Sequence, residues 1–106
     1  MSRTHILAVA YAHTDIAKAA RDSLPAGNEK IASALKSSAD SLHSSMEAAN
    51  DGSIESAMHL HDSVRHMERA VKHLAITAPQ SEHLLGAAKA LIAAKTLAAE
   101  HERDII

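Results

Sequence analysis

The stretch HLHDSVRHMERAVKH, residues 59–73, carries histidines at 59, 66 and 73, with His61 between the first two. Seven residues make nearly two helical turns, so His59, His66 and His73 would line one side of a helix. Imidazole is the commonest protein ligand for transition ions and also titrates near neutral pH. Neighbours in such a stripe lie about 10 Å apart along the axis, while an ion sits about 2.0–2.1 Å from each nitrogen, so no two share one ion unaided. Each needs a donor three or four residues away. Glu55 precedes His59 by four, and Asp62 lies between His59 and His66. Elsewhere His43 has Glu47 at plus four, and His101 has Asp104 at plus three. One imidazole beside one carboxylate suits weak binding of Cu(II), Ni(II) or Zn(II), with water completing the shell. The same spacing equally fits a solvated face of hydrogen-bonded His–acid pairs.

Other chemistry finds less footing. There is no cysteine, which excludes disulfides, thiolate sites and thiol nucleophiles. Met46, Met58 and Met67 resemble a soft-ligand set, but methionine at helical spacing fills cores. No Gly-rich loop joins a strand to a helix, and no serine is marked as a nucleophile beside an oriented base, so a non-catalytic protein is expected. Eleven Lys and Arg against thirteen Asp and Glu are dispersed, leaving no basic patch for nucleic acid and no polybasic membrane anchor. No run approaches the ~18–20 apolar residues that span a bilayer. The opening MSRTHILAVAYAH resembles a short leader, with Ala10-Tyr11-Ala12 as a cleavage-like site. Its apolar run is short, and its removal would halve the first helix, so an uncleaved cytoplasmic chain is expected, with export as the alternative.

These side chains need a scaffold, and the chain of 106 residues supplies material for one domain. It is 46% hydrophobic and 1% aromatic, a composition of alanine and aliphatic residues that points to packed helices. Leu24-Pro25-Ala26-Gly27, Asn50-Asp51-Gly52 and Ala78-Pro79-Gln80 break it into four segments. Asn28 and Ser53 can cap the second and third, and Pro79 or Ser81 can open the fourth. An all-α, antiparallel up-and-down four-helix bundle follows, with helices near 4–23, 28–49, 54–77 and 80–104. The seams read Ile6, Val9, His13, Ile16 and Ala20, then Ala32, Leu35, Ala39, Leu42, Met46 and Ala49. They continue as Ala57, Leu60, Val64, Met67, Val71, Leu74 and Ala78, then Leu84, Ala87, Leu91, Ala94, Ala98, His101 and Ile105. Ile16, Leu35, Leu42, Val64, Val71, Leu74, Leu84 and Leu91 are expected to be buried. Leu85, Ile92 and Leu97 widen the apolar face of the last helix, a candidate surface for a protein partner or a second copy.

Residues 59–73 resemble the small metal-binding protein family, whose repeat runs His, then roughly xDEAVK, then His, then xEEAVx, then His. HTDIAKAARDSL (13–24) and EHLLGAAKAL (82–91) are fainter relatives of that repeat. The resemblance implies a histidine-rich, exported helical bundle that binds copper and other divalent ions. It carries over to His59, His66, His73, His13 and His83. Ala20, Ala87 and Ala94 stand where the family pattern has histidine. Hemerythrins are approached by His13, His43 with Glu47, and His101, but the spacings of His61/His66 and His101/Asp104 do not match theirs. Histidine phosphotransfer domains have a histidine where SALKS has Ser33.

Reflecting the chain about its turns brings His5, His43, His59, His61 and His101, with Glu47 and Met58, to one end of the bundle. The tightest ion site is expected where His43 and His61 converge across a groove, helped by Glu47 or His101. Two functions are therefore expected to compete: weak divalent-ion binding by surface histidines, or a metal-free interaction or structural module.

Overall fold

The protein, described here by a computed structural model over residues 3–106, forms four helices: α1 (Thr4–Ser23), α2 (Glu29–Asn50), α3 (Glu55–Thr77) and α4 (Leu84–Ile105). The first two residues of the leader-like opening lie outside the described residues. Each break works by its own local chemistry. Gly27 (φ 81°) and Gly52 (φ 71°) take the left-handed conformation that closes the first two turns. Asn28 Oδ1 accepts from the Lys30 and Ile31 amides at 3.0 and 3.2 Å, capping α2. Ser53 Oγ accepts from the Glu55 amide at 3.1 Å.

α4 starts at Leu84 rather than near residue 80. Ala78, which precedes a proline and is therefore disfavoured in the helical region, ends α3, and the Ser81 amide bonds back to its carbonyl. Ser81 Oγ accepts from the His83 amide and also meets Ser23 Oγ at 2.5 Å, so this extra turn is pinned to the end of α1.

The helices form an up-and-down bundle made of two close antiparallel pairs, α2 on α3 and α1 on α4. In the first pair Ser38 meets Ser63 and Ser45 meets Ser56, residues spaced seven apart on each helix. In the second, the rings of His5 and His101 meet edge to face at 5.9 Å. Stepping one heptad each way in the same register brings Ala12 opposite Ala94 and Ala19 opposite Ala87, all buried. Small side chains at every seventh position let the backbones approach closely, which compensates for the little area each alanine buries. α1 also touches α3 across the diagonal while α2 and α4 do not meet, and the Cα cross-section is correspondingly flattened, 21 × 16 Å.

The buried faces of α1, α3 and α4 follow the expected seams, widened by Ala12, Ala19, Ser56, Ser63, Ala70 and Ala90; only His13, Ala78, Leu84, Leu91 and Ile105 on them are half-buried. α2 differs. Its buried face is Ile31, Ala34, Ser38, Ser45 and Ala49, whereas Leu35, Leu42 and Met46 are half-buried and Ala32 and Ala39 exposed. Of the eight residues expected in the core, Ile16, Val64, Val71 and Leu74 are buried; Leu35, Leu42, Leu84 and Leu91 are half-buried. The rotation of α2 has a physical cause. Its serines satisfy their hydroxyls inside the α2–α3 pair, so the small polar face buries there, and the larger leucines turn to the looser α1–α2 seam. Among the described residues no helix is long and apolar enough to cross a membrane.

Candidate functional site

Two histidines hold the two helix pairs together. The single hydroxyl proton of Ser63 goes to the Ser38 carbonyl at 2.9 Å. Ser38 Oγ must then donate to Ser63 Oγ at 2.9 Å, which leaves it to accept from His13 Nδ1–H at 3.0 Å. This chain runs from α1 through α2 to α3. One heptad pair along, His101 Nε2 on α4 shares a 2.9 Å hydrogen bond with Ser56 Oγ on α3, and Ser45 Oγ on α2 donates to the Ser56 carbonyl at 2.7 Å. Ser38, Ser45, Ser56 and Ser63 are all fully buried, so these Ser–His pairs tie helices together inside the bundle. Burial lowers the pKa of both imidazoles, aided at His101 by His5 and His61 and opposed there by Asp104.

The end of the bundle that holds His101 also gathers His5 and His61. His61 Nε2 lies 3.0 Å from Glu102 Oε2, a pair that bridges α3 and α4. His5 sits between two acids of α4, with Nε2 3.6 Å from Glu100 and Nδ1 3.6 Å from Asp104. Its Nδ1 is buried and has no hydrogen-bond partner among the described residues. His43 pairs with Glu47 at 3.2 Å within α2, as its spacing predicts.

The expected convergence of His43 and His61 does not form. Asn50, one heptad beyond His43, meets Arg3 at the start of α1, so this flank of α2 faces α1, whereas His61 faces α4. The expected end cluster is thus split: His5, His61 and His101 come together, while His43 and Glu47 lie on a separate flank. His101 lies in the core rather than beside a surface ligand.

The stripe His59, His66 and His73 is half-buried along the outer edge of the α2–α3 seam, not on an open face. Of the two acids expected to serve it, Asp62 is taken by Arg65, and His66 Nδ1 accepts from Arg69 at 3.0 Å. His73 shares a surface cavity with residues of α2. Among the described residues no group of three or more His, Asp or Glu is arranged to hold one metal ion. The His5–Asp104 and His61–Glu102 contacts depend on the register of α4 against α1 and α3, which single-helix spacing does not carry; the mirrored positions of His5 and His101 in the α1–α4 register were the available signal.

No family model matches this chain, and no curated protein or solved structure does so either.

Proposed function

We propose that the protein is a non-catalytic bundle that takes up a divalent transition ion weakly through surface pairs of one imidazole and one carboxylate. The observation that carries this reading is the His61–Glu102 pair, held by two different helices and half-exposed, with the exposed His43–Glu47 pair and His5–Asp104, whose imidazole nitrogen is buried, as lesser versions. An ion about 2.1 Å from both donors would see them about 90° apart at the 3.0 Å of His61–Glu102 and about 120° apart at the 3.6 Å of His5–Asp104. Those angles bracket the tetrahedral and octahedral arrangements of borderline ions. Two protein donors with water elsewhere make such a site weak and poorly selective. The resemblance of residues 59–73 to the small metal-binding family supports the same class of ligand.

The test is calorimetric titration of the tag-free protein with Cu(II), Ni(II) and Zn(II). Saturable heat that falls in a His61→Ala, Glu102→Ala variant supports the reading; no heat above buffer at millimolar ion overturns it.

A second reading rests on Leu85 and Ile92, 65% and 64% exposed and one heptad apart on the outer face of α4. It makes the bundle a metal-free interaction module. Sedimentation of the wild type against a Leu85→Gln, Ile92→Gln variant tests self-association through that face, which a monomer at all concentrations would exclude.

A further inference from the structure

We propose that the cavity between the first turn of α2 and the last turns of α3 binds a phosphate-type oxyanion. The cavity, about 360 Å³, is lined by Glu29, Lys30, Ser33, Arg69 and His73. It lies toward the bundle end opposite His5 and His101, so it is independent of the ion-binding reading above.

The charges make the case. Four of the eleven lysines and arginines are matched to an acid: Arg21 with Asp22, Lys36 with Asp40, Arg65 with Asp62 and Lys95 with Glu68. Lys30 and Arg69 form no ion pair with a carboxylate among the described residues, yet both face this one cavity. Arg69 instead donates to His66 Nδ1 at 3.0 Å. That bond steadies the guanidinium against a neutral acceptor, which leaves its charge uncompensated and places the proton of neutral His66 on Nε2.

The donor types then select the ligand. A guanidinium fork engages two oxygens side by side, an ammonium adds a point charge, and the Ser33 hydroxyl and His73 ring supply further single donors. Donors coming from two helices suit a tetrahedral oxyanion, which presents oxygens in several directions. A carboxylate presents two in one plane. Glu29 is the one acid on the lining, and it opposes any anion there. The stripe of His59, His66 and His73 thus ends in a site for an anion, with His66 positioning Arg69 and His73 on the wall.

Phosphate chemistry of this kind reaches a protein either as a soluble phosphate monoester or as a lipid headgroup, and the experiment separates them. The ¹⁵N-labelled, tag-free chain is titrated with inorganic phosphate at constant ionic strength, with chloride as reference. In parallel it is sedimented with phosphatidylcholine vesicles with and without phosphatidate. The expected result is saturable shifts at Lys30, Ser33, Arg69 and His73. Arg69→Gln or Lys30→Gln should weaken binding about tenfold, as expected for loss of a charge-assisted bond, and Glu29→Gln should tighten it. All three side chains are exposed, so urea midpoints should stay at the wild-type value and report that each variant is folded. Binding to phosphatidate vesicles alone, lost in the same two variants, would assign the headgroup as the source. The proposal is overturned if phosphate shifts match those in chloride and vesicle binding is absent. It is equally overturned if Arg69→Gln and Lys30→Gln leave binding unchanged.

Discussion

Replacing Ser38 with alanine tests whether the buried His–Ser–Ser chain holds α1 against the α2–α3 pair. Ser38 is fully buried, accepts from His13 at 3.0 Å and donates to Ser63 at 2.9 Å. The bond from Ser63 to the Ser38 carbonyl survives, because it uses main chain. The substitution therefore removes two hydrogen bonds and leaves the His13 Nδ1–H without its acceptor, at about 1–3 kcal/mol for the orphaned donor. Loss of the second bond adds about 1 kcal/mol, and the better helix propensity of alanine returns about 0.5 kcal/mol. A net loss of about 2 kcal/mol is expected, a large share of the 5–15 kcal/mol that holds a domain folded. For a chain of this length that lowers the melting temperature by roughly 8 °C. Urea unfolding followed by circular dichroism suits a protein with one tyrosine and no tryptophan. A cycle with His13→Leu should give a coupling of about 1–2 kcal/mol, since the double variant leaves no orphaned imidazole donor. A loss under about 0.5 kcal/mol, or a coupling near zero, would refute the chain as a stabilising element.

Two further outcomes follow from the core. Burial lowers the folded pKa of His13 and His101 below the unfolded value near 6.5, so below that pH the unfolded chain binds more protons. Their contribution is complete above pH 6.5 and is lost as pH falls from there through the folded values, each by at most about 1.4 kcal/mol per pH unit; urea midpoints at pH 7.5 and 5.5 should differ less in a His13→Gln, His101→Gln variant than in wild type, and equal differences would contradict this. Ala94→Leu, at a fully buried position opposite Ala12, should cost about 2–3 kcal/mol by forcing α1 from α4, while Ala93→Leu on the exposed side should stay within about 0.5 kcal/mol in the same urea assay.

Much of the fold is legible because its signals are local. Pro25-Ala26-Gly27, Asn50-Asp51-Gly52 and Asn28 fix turns and caps by their own chemistry, and the aliphatic periodicity of α1 and α3 points inward as spaced. The buried face of α2 escapes hydropathy, since Ser38 and Ser45 read as polar and Leu35, Leu42 and Met46 as core. What the sequence does carry is a mirror: Ser38 and Ser45 reflect onto Ser63 and Ser56 about the Asn50–Asp51 turn. Serine buries well where each hydroxyl finds a partner, and that depends on the neighbouring helix. The candidate site divides in the same way. His43 with Glu47 is a spacing within one helix and is present as read. His61 with Glu102, and His5 with Glu100 and Asp104, join different helices and depend on their rotation, which one-residue steps alter by 100°. The solvated face that the spacing of His59, His66 and His73 fits takes only their own helix into account, and all three are half-buried.

Line broadening by Cu(II) tests the proposed ion uptake most directly. With substoichiometric Cu(II) added to the ¹⁵N-labelled, tag-free protein near pH 7, signals of His61 and Glu102, then of His5, Asp104, His43 and Glu47, should broaden before those of His66 and His73. Lowering the pH to about 5.5 should reverse the effect, because the ion needs a neutral imidazole. Broadening that begins at His66 and His73, or none at millimolar ion, would contradict it.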